Sequence, residues 1–138
     1  MPVLAELRLA ALRPDLERLG RWDPPAHRAR FVQEFRVEES VTVLDEGDRP
    51  IGSFALHRDG QGDDAGTWLR HFHLAPHATG RGIGSRLLEQ IGEATHGRSL
   101  SLVVLQGSRA ERFFRRHGFD ELVRGDVDAV LHRPATSA

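Results

Sequence analysis

The sequence predicts an α/β (α+β) fold: a mixed, mostly antiparallel central sheet of six to seven strands with helices on both faces. Three observations predict it. Segments with strand-like and helix-like spacing follow one another in the order β, α, α, β, β, β, α, β, α, β, β. A glycine-rich turn, TGRGIG, passes directly from a strand into an amphipathic helix. A length of 138 residues, with 39% hydrophobic and 28% charged side chains, suits one compact domain, placed at residues 1–133 with a loose tail at 134–138.

The elements follow from spacing and punctuation. Val3 to Leu9 alternates and reads as a first strand, and Arg13 to Trp22 carries Leu16 and Leu19 at helical spacing. Arg21-Trp22-Asp23-Pro24-Pro25 interrupts it. Ala26 to Phe35 reads as a second helix, with Phe31 and Phe35 four apart on one face. Val41 to Asp45 and Ile51 to Leu56 flank Glu46-Gly47-Asp48-Arg49-Pro50 and predict a hairpin. Asp59 to Gly66 is polar and Gly-rich, a surface loop. Thr67 to Leu74 is the next strand, ended by Ala75-Pro76, and Ile83 to His96 is a helix with Ile83, Leu87 and Ile91 stacked on one face. Ser99 to Leu105 is apolar enough for a buried strand. Arg109 to His117 is a short helix stopped by Gly118, and Phe119 to Val123 with Asp128 to His132 completes the sheet.

Composition excludes whole classes of function. The chain has no Cys, Lys, Tyr or Asn, so all 19 basic side chains are arginines. Without Cys there is no disulfide, thiolate nucleophile or thiolate metal site. Without Lys there is neither Schiff-base chemistry nor a P-loop lysine. A net charge of −1 and no separate basic block argue against nucleic acid as a partner. No run reaches membrane-spanning length, and Glu6 and Arg8 break up the N-terminal MPVLAELRLAAL, so the expectation is a cytoplasmic protein with no membrane partner.

The glycine turn carries the chemistry. A strand, a glycine-rich turn and a helix start bring backbone N–H groups and the positive end of the helix dipole to one point, which suits a phosphate. Gly80, Gly82 and Gly84 let the backbone approach such a ligand closely. The dinucleotide pattern G-x-G-x-x-G fails in both registers, because Ser85 or Leu87 stands where its third glycine belongs. The Walker loop fails for want of lysine.

Leu74-Ala75-Pro76 followed by TGRGIGSRLL resembles the signature of the GNAT superfamily of N-acetyltransferases: Gln or Arg, two residues, Gly, one residue, then Gly or Ala. Here those places are Thr79, Gly82 and Gly84. Thr79 departs from the long donor usual at the first place. A second stretch, GSRAERFFRRHGFDEL, resembles the family's later motif at Ala110, Phe114 and Gly118-Phe119. The N-terminal portion, with Asp15-Leu16 and the Trp22 to Phe31 segment, is similar to small bacterial members, so the resemblance covers nearly the whole chain.

The resemblance implies a GNAT-like fold and acetyl-CoA as acyl donor. It implies that Leu74, Ala75, Thr79, Gly80, Arg81, Gly82, Ile83, Gly84, Ser85, Ser108 and Phe114 contact the donor, whose pantetheine arm lies along the strand ending at Leu74. It also implies a small-molecule or peptide amine as acceptor, and it is compatible with a homodimer. Phe114 stands where the family often uses Tyr to protonate the leaving thiolate. A positioned acid is worth about 10²- to 10⁴-fold, whereas a thiol with a pKa of about 8.5 leaves tolerably unaided. Ser108, where the family often has Asn, or a water is the alternative donor.

For the base, His71 and His73 alternate onto one face of the strand that leads to the glycine turn, each also readable as a plain sheet histidine. His57 is a weaker candidate. His71, His73 and His77 have a familiar ligand spacing but no carboxylate nearby in sequence, so no metal is expected. Arg109, Arg112, Arg115 and Arg116 form either a solvated basic face or contacts to CoA phosphates. Trp22, Pro24, Pro25 and Phe31 lie where the family builds its acceptor lip. Two functional readings remain: an acetyl-CoA-dependent N-acetyltransferase, or a CoA-binding module with little or no catalysis.

Overall fold

Helix α1 spans Pro2–Arg18, where the alternation of Val3, Ala5, Leu7 and Leu9 predicts a strand. The helix wins because only Val3 in this stretch is β-branched, the rest being mainly Ala, Leu, Glu and Arg, the strong helix formers. At about 100° per residue, Leu4, Ala5, Leu9 and Leu16 fall within an arc of about 140°. All four are buried. Arg8 falls inside the same arc. The helix expected from Arg13 is thus the second half of α1, which runs on through Pro14.

The computed structural model describes residues 2–59 and 66–136. The expected Asp59 to Gly66 loop, apart from its two ends, and residues 137–138 of the expected tail lie outside them. Beyond α1 the elements are α2 (Pro24–Glu34), β1 (Ser40–Leu44), β2 (Pro50–Asp59), β3 (Gly66–Leu74), a 3-10 turn (Pro76–Ala78), α3 (Ile83–Ala94), β4 (Leu100–Leu105), α4 (Arg109–Arg116), β5 (Asp120–Arg124) and β6 (Asp128–Arg133). Six strands form one sheet in the order β1-β2-β3-β4-β6-β5, so the upper expectation of seven falls with the N-terminal strand. β1–β2, β4–β6 and β5–β6 are antiparallel, and β3–β4 is parallel at Thr67↔Leu100 and Trp68↔Ser101.

The chain divides into two compact units, Met1–Leu56 with His71–Leu87, and His57–Arg70 with Leu88–Ala138. In the first, Leu4, Ala5 and Phe31 form a buried cluster flanked by Leu7 and Phe35, which joins α1 to α2. Pro24 and Pro25 do not precede α2 but open it, since a first turn needs no N–H from them, and Asp23 caps it by accepting from Ala26 N at 3.3 Å. The β1–β2 turn is tied by Asp45, whose Oδ1 accepts from Gly47 N (2.8 Å) and Arg49 N (2.9 Å). Gly52 lies so close to β3 that a Cβ there would meet the His73 carbonyl oxygen at 2.3 Å. The end of β3 is pinned beside it, Ala75 N donating to Ile51 O at 2.6 Å.

In the second unit, Leu100, Leu102, Val104, Ala129 and Leu131 of β4 and β6 are buried together with Leu88, Ile91, Phe114 and Phe119. Ser108 caps α4, its Oγ accepting from Glu111 N at 3.0 Å, while the Glu111 carboxylate accepts from Gly107 N at 2.8 Å, a close variant of the reciprocal capping box. Arg115 and Arg124 hold the other oxygen of Glu111 at 3.0 and 2.7 Å.

Candidate active site

The glycine turn has the backbone that an anion cradle requires. Gly80 and Gly82 have φ of 75° and 78°, the left-handed region that costs any other residue about 1–2 kcal/mol. Arg86 N bonds back to Gly82 O at 3.2 Å, which makes Gly82 the residue that launches α3. The first-turn amides of Ile83 and Gly84 therefore have no carbonyl one turn back within the helix. Gly80, Arg81, Gly82 and Ser85 are exposed, and a Cβ on Gly82 would meet nothing within 4 Å. From Ala75 to Leu88 the chain contains Arg81, Arg86 and His77 but no acidic residue, so the local charge favours an anion.

Thr79 closes the preceding 3-10 turn, its Oγ1 donating to Pro76 O at 2.8 Å. That commits its one hydroxyl proton, which leaves the backbone as the source of donors. Leu74 is half-buried, and Ala75 and Ala78 are buried beneath the turn.

Strand β3 is irregular at His71, one of the two expected bases. His71 has φ of 56°, rare for a non-glycine residue, so the simple alternation that would put His71 and His73 on one face is broken there. His71 Nε2 donates to Glu34 Oε2 of α2 at 2.9 Å, and its ring meets the edge of Phe31 at a centroid distance of 5.0 Å. A carboxylate so placed fixes the tautomer and the orientation of the imidazole. His73 is buried. Its Nδ1 donates to the His71 carbonyl oxygen at 2.9 Å, which leaves Nε2 as a lone-pair acceptor, and that atom is buried without a hydrogen-bond partner among the described residues. Burial lowers His73 from the ordinary 6.5 to about 4, with the charge of Arg8 adding to the fall and the bond to His71 opposing it.

Other expected residues are placed differently. Phe114 is a core side chain, with Phe113 and Phe119 edge-on at 5.0 and 5.3 Å. Ser108 is buried at its cap. Arg115 is engaged by Glu111 of α4 and Glu121 of β5, and Arg112 Nη1 donates to Gly107 O at 2.9 Å. Trp22 stacks on His27, and Phe31 is core. His77 is exposed. Among the described residues no three His, Asp or Glu side chains converge as a metal site, and no helix is long and apolar enough to cross a membrane.

Two residues beside the histidines escaped the sequence reading: Glu34 and Arg8. Glu34 gives no signal, being one of several glutamates on helix surfaces. Arg8 gives one, as one of two charged residues, with Asp15, inside the apolar arc of α1, and the one in its first half.

A sheet of this order, with a left-handed glycine turn launching α3, is the frame of an acyl-CoA-dependent transferase. The sequence matches the acetyltransferase (GNAT) domain over residues 37–121, and the chain belongs to that family. No curated protein matches it. Among solved structures, an acetyltransferase from Thermus thermophilus shares 22% identity, with 97% of this chain and 92% of that one covered and a TM-score of 0.64. A GNAT-family acetyltransferase from Staphylococcus aureus shares 15%, with 94% and 89% covered and a TM-score of 0.70. PaiA N-acetyltransferase from Thermoplasma acidophilum, solved in complex with coenzyme A, shares 15%, with 95% and 90% covered and a TM-score of 0.68. Identities this low speak to the fold.

Proposed function

We propose that the chain is an acetyl-CoA-dependent N-acetyltransferase that moves an acetyl group to a primary amine by direct attack on the thioester. The observation that carries this reading is the left-handed pair Gly80 and Gly82 ahead of the first-turn amides of α3. Those amides would hold the diphosphate of the donor, as the family membership and the coenzyme A bound to the PaiA neighbour support. The strand ending at Leu74 and Ala75 would carry the pantetheine arm.

In this reading His71 takes the proton from the attacking amine and Glu34 stabilises the resulting imidazolium, the chemistry for which the 2.9 Å contact is suited. His73, neutral at physiological pH, accepts a hydrogen bond through Nε2 and thereby orients the amine. Phe114 has no proton to give, so thiolate departure rests on the thiol's own low basicity or on the Ser108 hydroxyl, whose Oγ accepts from Glu111 N at the cap and keeps its own proton. The absence at Phe114 also keeps a second reading alive, a CoA-binding module without turnover.

Calorimetry with acetyl-CoA, ATP and NAD tests the cradle: acetyl-CoA binding is expected, and ATP binding without any response to acetyl-CoA would overturn both CoA readings. Thiol release from acetyl-CoA over a panel of amines separates them. A rate no higher than spontaneous hydrolysis with every amine leaves only the binding module.

A further inference from the structure

The unit that carries the histidines contains two polar groups whose complements are missing among the described residues. Arg8 is half-buried on α1 with its guanidinium 5.9 Å from the centre of the Phe31 ring, and it makes no hydrogen bond or ion pair among the described residues. The negative charge that acts on it is Glu34, whose carboxylate oxygens are engaged elsewhere, one by His71 at 2.9 Å and one by Arg30 at 3.3 Å. Burial lowers Arg8 to about 10, with the charge of Glu34 opposing the fall. The second group is His73 Nε2, a buried acceptor without a donor. Arg8 is near enough for its charge to act on this ring.

The two demands are opposite in kind. A guanidinium offers five N–H donors and seeks a planar anion, while the imidazole nitrogen seeks an N–H or O–H. The unmade bond at His73 Nε2 costs free energy that a ligand recovers by making it, and a half-buried guanidinium holds an anion more tightly than a fully exposed one. A molecule meeting both carries a carboxylate and an amine close together. The surrounding charge agrees: Arg8 and Arg30 against Glu34 leave one positive charge in surplus, which repels a polyamine and attracts a zwitterion.

We propose that the acceptor is an amine that bears a carboxylate, an amino acid or a close analogue, with Arg8 gripping the carboxylate and His73 Nε2 accepting from the amine N–H. The proposal rests on the N-acetyltransferase reading and deepens it. Arg8 is then the residue that sets acceptor specificity, and α1 is part of the acceptor site.

The test compares acceptors that differ only in the carboxylate: amino acids, their amides and their decarboxylated amines. Thiol release gives kcat/KM for each, and calorimetry without acetyl donor gives binding. Wild type is expected to favour the carboxylates by about 10- to 100-fold, the worth of a charge-assisted pair. In Arg8→Met that ratio should collapse toward one, mainly through KM, and in Arg8→Lys it should survive in part. A wild type indifferent to the carboxylate, or an Arg8→Met variant that slows all acceptors alike, overturns the proposal. Should Arg8→Met fail to fold, the wild-type ratio and Arg8→Lys still decide. Carboxylate-selective binding without turnover of any amine defeats the transferase reading and spares the Arg8 site. Turnover of amines regardless of carboxylate does the reverse, and the absence of both binding and turnover of the carboxylates overturns the proposal.

Discussion

Replacing Gly82 with valine should separate ligand binding from folding at the glycine turn. At φ of 78° any L-side chain is strained, and valine, branched at Cβ, is strained most: about 2 kcal/mol. No contact adds to that cost, because nothing lies within 4 Å of the new Cβ. A loss of about 2 kcal/mol lowers the melting temperature by roughly 6 °C in a chain of this size and leaves it folded. The side chain would, however, stand in the space beside the first-turn amides. Losing two charge-assisted bonds to a diphosphate, at about 1.5 kcal/mol each, weakens acetyl-CoA binding by roughly 100-fold. Calorimetry and thermal melting on the same sample read both numbers. Gly52→Ala is the counterpart, since its Cβ would sit 2.3 Å from the His73 carbonyl oxygen and 2.9 Å from Leu74 Cδ2, forcing β2 and β3 to shift. It should cost more stability than Gly82→Val despite being the smaller change. Unaltered acetyl-CoA affinity in a folded Gly82→Val protein would refute the placement of the diphosphate.

Three further outcomes follow from the same geometry. His71→Asn retains a residue type that tolerates the left-handed backbone but removes the base, so kcat should fall by about 10²-fold or more while acetyl-CoA affinity, read by calorimetry, holds. His73 is neutral when folded but titrates near 6.5 when unfolded, so the stability tied to it is full above pH 6.5 and is lost as pH falls toward about 4, by on the order of 3 kcal/mol; denaturant melts of His73→Leu against wild type between pH 7 and 4 should show the dependence flattened. Glu111 loses ionisation energy to burial, but the Gly107 N–H with Arg115 and Arg124 more than restores it and holds the carboxyl below its ordinary 4.5, so its contribution is full above pH 4.5 and lost as pH falls through the lower folded value; Glu111→Gln should flatten the acid limb of the stability curve.

Most of the architecture was legible where spacing and punctuation agree. Ile83, Leu87 and Ile91 on one side of α3, the apolar run of β4 and Gly118 after α4 are strong local signals, and each element forms. The turn ahead of α3 was legible for the same reason: glycines at positions 80 and 82 have few uses other than a left-handed backbone. The chemistry on the other side of β3 was less so. His71 and His73 could be singled out as residue types, but their different states depend on a left-handed residue inside a strand and on Glu34, which lies 37 positions earlier in sequence. Local pattern cannot reach a partner that distant.

The N-terminal segment shows how one period decides the electrostatics of a site. Read with a period of two, MPVLAELRLAAL turns Val3, Ala5, Leu7 and Leu9 inward and sends Leu4, Glu6 and Arg8 to water. Read with a period of 3.6, it buries Leu4, Ala5 and Leu9 and draws Arg8 in with them, while Glu6 stays outside to meet Arg28 at 2.8 Å. The residues are the same, but the first reading leaves Arg8 fully hydrated, and the second half-buries it without supplying a hydrogen-bonded counter-ion among the described residues. Such a cation is costly to bury and cheap to satisfy with an anionic ligand. The acceptor chemistry proposed for this chain therefore turns on helix propensity in its first eighteen residues. It does not depend on the glycine turn, which would be the same for any acceptor.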